Sequence, residues 1–277
     1  MTAETRVAQH YASAGIAERL LAALRAARGA DIALTPDALA PLNHFHGRGV
    51  AATQELVAAL TPHPGERLLD IGSGIGGPAR WIAAKFGVHV TGVDLTAAFC
   101  EAAEALNRAT GLADCVRILN GSALALPVPD GAFDRAYSQN VVMNIADKPL
   151  FYREACRALR PGGVFALANV CAGPAGPPHY PLMWAATAET SFLTPPEQSR
   201  AEMQAAGFEV VQFRDTTHDN LAVSTRYSQQ LSGDRPPPLG MHVLMGADYV
   251  REVQANSARS TAEGRLSQIE VLLRKPG

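Results

Sequence analysis

The stretch Leu69-Asp70-Ile71-Gly72-Ser73-Gly74-Ile75-Gly76-Gly77-Pro78-Ala79-Arg80 decides how this chain folds. A short apolar run over residues 67–71 ends in a glycine loop, and a helical pattern over residues 78–86 follows it. Glycines at the carboxyl end of a strand let backbone amides approach a ligand, and the helix behind them adds a positive N-terminal end. Such a loop also serves ordinary strand-to-helix turns, so it needs company to carry a function. Residues 88–94 supply it: they read as a second strand ending in Asp94, twenty positions beyond Gly74. A carboxylate there can accept both hydroxyls of a nucleoside ribose. Both features fall on the carboxyl edge of neighbouring strands, where open sheets bind ligands.

Outward from this pair the alternation continues. The pattern predicts a helix over 97–110, strands at 116–119, 133–138 and 163–169, and a helix over 148–159. Alternation at these lengths implies parallel strands joined by right-handed crossovers, with helices on both faces of an α/β sheet. A helix ending at Gly207, a strand over 208–213 and a final strand over 268–273 complete the chain, and residues 233–240, with Pro236-Pro237-Pro238, read as loop. Upstream, residues 4–28 repeat apolar side chains at helical spacing (Ile16, Leu20, Leu21, Leu24) and predict one or two helices. Thr35-Pro36 reads as a helix N-cap and first position, and a further helix over 49–60 is stopped by Thr61-Pro62-His63-Pro64-Gly65.

Composition excludes several classes. Of 277 residues, 47% are hydrophobic and 18% charged, enough apolar material for a full core and the wrong balance for disorder. The net charge of −2, with no dense basic run, disfavours an obligate nucleic-acid binder. The segment Met1-Thr2-Ala3-Glu4-Thr5-Arg6 lacks a signal-peptide profile, and the apolar runs break well before the length of a membrane span. Cys100, Cys115, Cys156 and Cys171 form no C-x-x-C pair and read as free thiols, so a cytoplasmic location is expected.

Asp70 separates two ligand classes that share this geometry. Two positions before the first loop glycine, a carboxylate would oppose the pyrophosphate of a nicotinamide dinucleotide, whereas it suits a ligand carrying an ammonium and a sulfonium. Helix capping or a buried hydrogen bond is its other reading.

On these residues the chain resembles the class I S-adenosylmethionine-dependent methyltransferases. Residues 69–80 resemble their motif I, and Ile75-Gly76-Gly77-Pro78-Ala79-Arg80 is similar to the small-molecule subgroup (methyltransferase type 11) containing sarcosine/dimethylglycine, tocopherol and sterol methyltransferases. Asp94, then Asn120-Gly121-Ser122-Ala123 with Leu126-Pro127, Gly131-Ala132-Phe133-Asp134, Ser138-Gln139-Asn140 and Leu159-Arg160-Pro161-Gly162-Gly163 match in order, so that the likeness spans residues 41–211. The resemblance implies a Rossmann-like, seven-stranded, mostly parallel sheet whose last strand is antiparallel, beneath an N-terminal helical lid. It implies S-adenosylmethionine as donor and S-adenosylhomocysteine as product. Carried over, Gly72, Ser73, Gly74 and Gly76 would surround the methionine moiety with Asp70 nearby. Asp94 would hold the ribose, Leu95 would pack on the adenine, Ser122 and Ala123 would border it, and Gln139 would lie near the methionine part. Relatives often have an acid where Ser122 stands, so its side-chain role departs from the pattern.

The acceptor side is less defined. Gln9-His10-Tyr11 resembles a lid segment whose tyrosine closes over the cofactor, or else opens an amphipathic helix. Asn43-His44-Phe45-His46-Gly47-Arg48-Gly49 reads as lid or pocket lining rather than a metal site, with His46 a candidate base. Asn140 and Asn144 follow the fourth strand and could orient a polar acceptor or cap turns. His179, a second candidate base, Tyr180 and Trp184 lie in a Gly/Pro-rich segment whose aromatics suit an apolar or quaternising amine. The expected layout is a cap over residues 1–60 and a methyltransferase domain over 61–277, with acceptor-covering insertions around 172–195 and 217–262. The expected reaction is methyl transfer to a small molecule, leaning to an amine of the sarcosine/dimethylglycine type. O- or C-methylation of a quinone, sterol or secondary metabolite, a nicotinamide-dependent reductase and a non-catalytic cofactor-binding module are the alternatives. The partners expected are the acceptor and, as one option, a second copy in a homodimer, with no nucleic acid and no membrane span.

Overall fold

The structure is a computed structural model that describes residues 2–11, 14–44, 48–232 and 237–277. Helices α1 (Ala3–Tyr11), α2 (Ile16–Arg28), α3 (Pro36–Asn43) and α4 (Gly49–Leu60) precede β1 (Arg67–Ile71). Then come α5 (Gly77–Phe86), β2 (His89–Asp94), α6 (Ala97–Ala109), β3 (Val116–Asn120), β4 (Phe133–Gln139), α7 (Lys148–Ala158) and β5 (Leu159–Ala172). The chain closes with α8 (Pro196–Ala205), β6 (Glu209–Asp215), α9 (Thr217–Ser232), α10 (His242–Met245), α11 (Ala247–Ala262) and β7 (Leu266–Arg274).

The seven strands form one sheet in the order β3-β2-β1-β4-β5-β7-β6. Strands β1 to β5 pair in parallel, and β7 runs antiparallel to both β5 and β6. That is the sheet the resemblance implied. Strand β1 shows why it must be covered on both sides. Leu68 joins a core built with α4, α5 and α6, while its neighbour Leu69 joins the opposite core built with α7 and α8. The order reverses between β1 and β4, so loops at their carboxyl ends splay apart and leave a crevice.

The segment expected to hold one or two helices forms two, α1 and α2. Thr35 caps α3 as read from sequence, its Oγ1 accepting the Ala38 amide at 3.1 Å. Helices α2 and α3 pack Leu20, Leu24, Leu39 and Leu42 against Ile75 of the glycine loop and Leu106 of α6. The strand read at 268–273 extends over Leu266–Arg274, because its antiparallel pairing with β5 continues to Ala172. Helices α9 and α11, inside the stretch expected to cover the acceptor, had no periodicity strong enough to be read. Among the described residues no helix is long and apolar enough to cross a membrane.

Candidate functional site

The glycine loop is built by backbone geometry. Gly72, Gly74 and Gly76 have φ of 80°, 53° and 72°, the left-handed region that favours glycine. The amides of Gly72 and Ser73 both donate to the Val93 carbonyl, at 2.8 and 3.1 Å, which draws the loop onto the end of β2. Behind it, Arg80 is fully buried. Its guanidinium donates to the Ile75 carbonyl at 2.7 Å and to Asn107 Oδ1 at 3.0 Å, and burial lowers its pKa to about 9. The arginine ending the motif is therefore a brace for the loop.

Asp94 occupies the position expected of it. Its Oδ2 accepts the Gly74 amide at 2.7 Å and its Oδ1 the Thr96 amide at 2.9 Å, and it faces a cavity of about 680 Å³. Burial raises its pKa, and the two amides oppose that rise. Asp70, 3% exposed, also faces the cavity and accepts the Tyr137 hydroxyl at 2.8 Å. Burial pushes its pKa up to about 7, Asp94 adds to the rise, and the Tyr137 bond opposes it. Asp70 thus makes the buried hydrogen bond that was its alternative reading, and it also lines the cavity.

A buried and a half-buried carboxylate, both kept from easy ionisation, favour a positively charged guest. Ser73 Oγ and Gln139 Nε2 line the same cavity and are buried without a hydrogen-bond partner. Such orphans are costly unless a ligand completes them. A methionine-bearing sulfonium nucleoside fits this donor set.

Of the residues singled out from sequence, Tyr11, Asp70, Gly72, Ser73, Gly74, Asp94, Leu95, Ala123, Gln139, Asn140, Asn144 and Trp184 line the cavity. Asn140 sits at the end of β4 with φ 55°, a turn conformation that asparagine tolerates. Gly76 does not line it, but serves as the left-handed N-cap of α5 against Arg80. Ser122 does not line it either: its hydroxyl donates to Glu4 and accepts the Leu124 amide at 2.9 Å. Tyr180 packs with Met143 and Trp184 behind the wall. His179 lies away from the cavity, because Nε2 contacts Glu263 Oε2 at 2.7 Å and its amide donates to Ser260. His46 falls outside the described residues.

Sequence reasoning missed much of the rest of the cavity wall. Met183, Met241, Leu244, Met245, Tyr249 and Gln254 line it, all but Met183 contributed by the 217–262 stretch. It also missed Glu4 as a wall residue and His10 as a chemical group. His10 Nε2 meets the Met183 carbonyl at 3.2 Å; a carbonyl only accepts, so Nε2 carries the proton and Nδ1 keeps its lone pair in the neutral ring. Asn144 organises this end. Its amide donates to the Trp184 and Thr190 carbonyls at 2.9 and 2.8 Å, and its Oδ1 accepts the Tyr11 hydroxyl at 3.2 Å.

Residues 69–167 match a family model described as a methyltransferase domain. The chain is 36% identical over 129 residues to phosphoethanolamine N-methyltransferase 1 of Arabidopsis thaliana, covering 47% of this chain and 26% of that protein. It is 37% identical over 121 residues to 24-methylenesterol C-methyltransferase 2 of Oryza sativa subsp. japonica, covering 43% and 33%. The chain thus spans about a quarter to a third of the length of these curated relatives. Its fold is similar to a solved phosphoethanolamine N-methyltransferase 2 of Haemonchus contortus in complex with S-adenosyl-L-methionine, with TM-score 0.72, 21% identity and coverage of 93% and 57%.

Proposed function

We propose that this protein, whose residues 69–167 match a methyltransferase-domain model, transfers a methyl group from S-adenosylmethionine to a small molecule. The observation that carries the reading is the pair Asp70 and Asp94. Asp70, buried, and Asp94, half-buried, stand at adjacent strand ends and flank a glycine loop around which Ser73 and Gln139 keep unmet polar atoms. When bound, S-adenosylmethionine supplies a methyl already activated on a positive sulfur. The chain's task is to hold, orient and keep dry. Asp94 accepts the ribose hydroxyls while Gly74 fixes its second oxygen. Asp70 opposes the positive charge of the methionine end. Gly72 and Gly74 let the backbone come close. Tyr11 and Asn144 join the N-terminal helix to the acceptor wall, which supports the reading of residues 1–60 as a cap.

The acceptor follows from the other half of the cavity. The sequence favours an amine, and Trp184 and Tyr249 there support it through cation–π contact. The thioethers of Met143, Met183, Met241 and Met245 favour a second reading, a molecule with a large apolar body. The described lining holds no Lys or Arg to pair with a carboxylate or phosphate. If such an acceptor presents a hydroxyl, His10, which lines the cavity and keeps a lone pair on Nδ1, is a described group able to receive its proton. The four free cysteines support a reducing compartment.

Thermal shifts with S-adenosylhomocysteine and with NADH test the donor site. Stabilisation by the first alone is expected, and stabilisation by NADH alone overturns the reading. Release of S-adenosylhomocysteine over a panel of amines, phenols, sterols and prenyl alcohols then identifies the acceptor.

A further inference from the structure

Helix α1 lays one face along the cavity. Glu4, Val7 and Tyr11 fall on a single stripe, at i, i+3 and i+7, and all three line it. The two ends of this stripe touch different walls. Tyr11 reaches Asn144 on the acceptor side, whereas Glu4 receives the hydroxyl of Ser122 in the turn after β3. Ser122 gives its single donor to Glu4 and one of its two lone pairs to the Leu124 amide, and it does not face the cavity. Glu4 does face it. A carboxylate has about four lone-pair directions, and Ser122 takes one. The same cavity is lined by Leu95, just past β2, by Ala123, which follows Ser122 after β3, and by Phe99 of α6. On the reading above, that is the nucleobase end of the site.

We propose that the Glu4 carboxylate reads the nucleobase by accepting a hydrogen from the exocyclic amino group of adenine. The inference rests on the proposed function, because it requires an S-adenosyl nucleoside in this cavity. The chemistry is a matter of donors and acceptors. Adenine presents an N–H at its six position, and hypoxanthine presents an oxygen there. A carboxylate accepts from the first and repels the second; a serine hydroxyl, able to donate or accept, distinguishes them poorly. Because the acid rides on α1 rather than on a loop of the sheet, the base is read only while that helix lies on the cavity. The same placement sets Tyr11 against Asn144, so nucleobase recognition and coverage of the acceptor side belong to one element.

The test is calorimetric binding of S-adenosylhomocysteine and S-inosylhomocysteine to the full chain and two variants. The native protein is expected to prefer the adenosyl compound by tenfold or more, roughly the discrimination of one charged hydrogen bond. In Glu4→Gln the amide can donate as well as accept, so the preference is expected to fall to within about threefold, mainly through tighter inosyl binding. In Glu4→Ala with Ser122→Asp, the acid returns to the turn after β3 and the preference is expected to recover. A merely structural Glu4 would weaken both compounds equally. An undiminished preference in Glu4→Gln, with its melting temperature retained, overturns the proposal and leaves the donor site standing. Failure of the native protein to bind either compound instead removes the proposed function, and this inference with it.

Discussion

The Tyr11 hydroxyl donates to Oδ1 of Asn144 at 3.2 Å across 133 positions of sequence, joining the first helix to the turn after β4. The same asparagine holds the Trp184 and Thr190 carbonyls with its amide, so one side chain links three segments around the cavity. Burial holds the Tyr11 phenol well above its usual range, which keeps it a donor at any working pH. Asn144→Ala leaves two carbonyls and a phenol unmet and is expected to cost about 1–3 kcal/mol in urea denaturation. Tyr11→Phe loses one partner and should lower turnover while leaving the melting temperature nearly unchanged. Equal losses of both in Tyr11→Phe would make the contact structural.

Asp94 is the main polar anchor expected for the ribose. Asp94→Ala should weaken S-adenosylhomocysteine by about 1–3 kcal/mol, the scale of a charged hydrogen-bond partner. Calorimetry showing an unchanged dissociation constant would remove Asp94 from the site.

Asp70 predicts a pH dependence whose sign follows from its shift. Its pKa rises from 3.8 unfolded to about 7 folded. The group therefore favours folding below the lower value, and that contribution disappears as pH rises through about 7. A cationic nucleoside has the opposite preference, for the ionised carboxylate. Affinity for S-adenosylmethionine should thus increase from pH 5 to pH 8, and binding at pH 6 should release a proton. Calorimetry in two buffers of different ionisation heat measures that release. It should be absent in Asp70→Asn; its absence in the native protein would show that Asp70 does not face the positive charge.

The two loop glycines should differ in what a methyl group costs. At Gly74 an added Cβ meets nothing within 4 Å, so Gly74→Ala bears only the left-handed backbone penalty of about 1–2 kcal/mol. At Gly72 the same atom would lie 2.2 Å from a Val141 methyl, so repacking adds about 1–3 kcal/mol. Denaturation midpoints should rank Gly72→Ala as the less stable, and the reverse order would mean that the turn after β4 yields freely.

Much of the half of the cavity around the glycine loop was legible because its parts are close along the chain. Residues 67–94 contain both strands, the loop and the acid, and the φ values of Gly72, Gly74 and Gly76 are what those residues permit. The half lined by Met183, Met241 and Tyr249 was not legible in the same way. His179 looked like a base among loop aromatics, yet Glu263 holds it 84 positions away. Ser122 looked like an adenine neighbour, yet Glu4 occupies its hydroxyl from 118 positions away. Methionines between residues 241 and 245 carry no local pattern that announces a wall.

The sequence by itself determined the alternating strands and helices, the glycine elbow and the acid beyond it, because backbone sterics and hydrophobic period act between near neighbours. Only the tertiary structure decided which side chains face the cavity. That choice depends on α1, α10 and α11 settling over the carboxyl edge of the sheet, where burial and pairing between distant residues outweigh anything local spacing can encode.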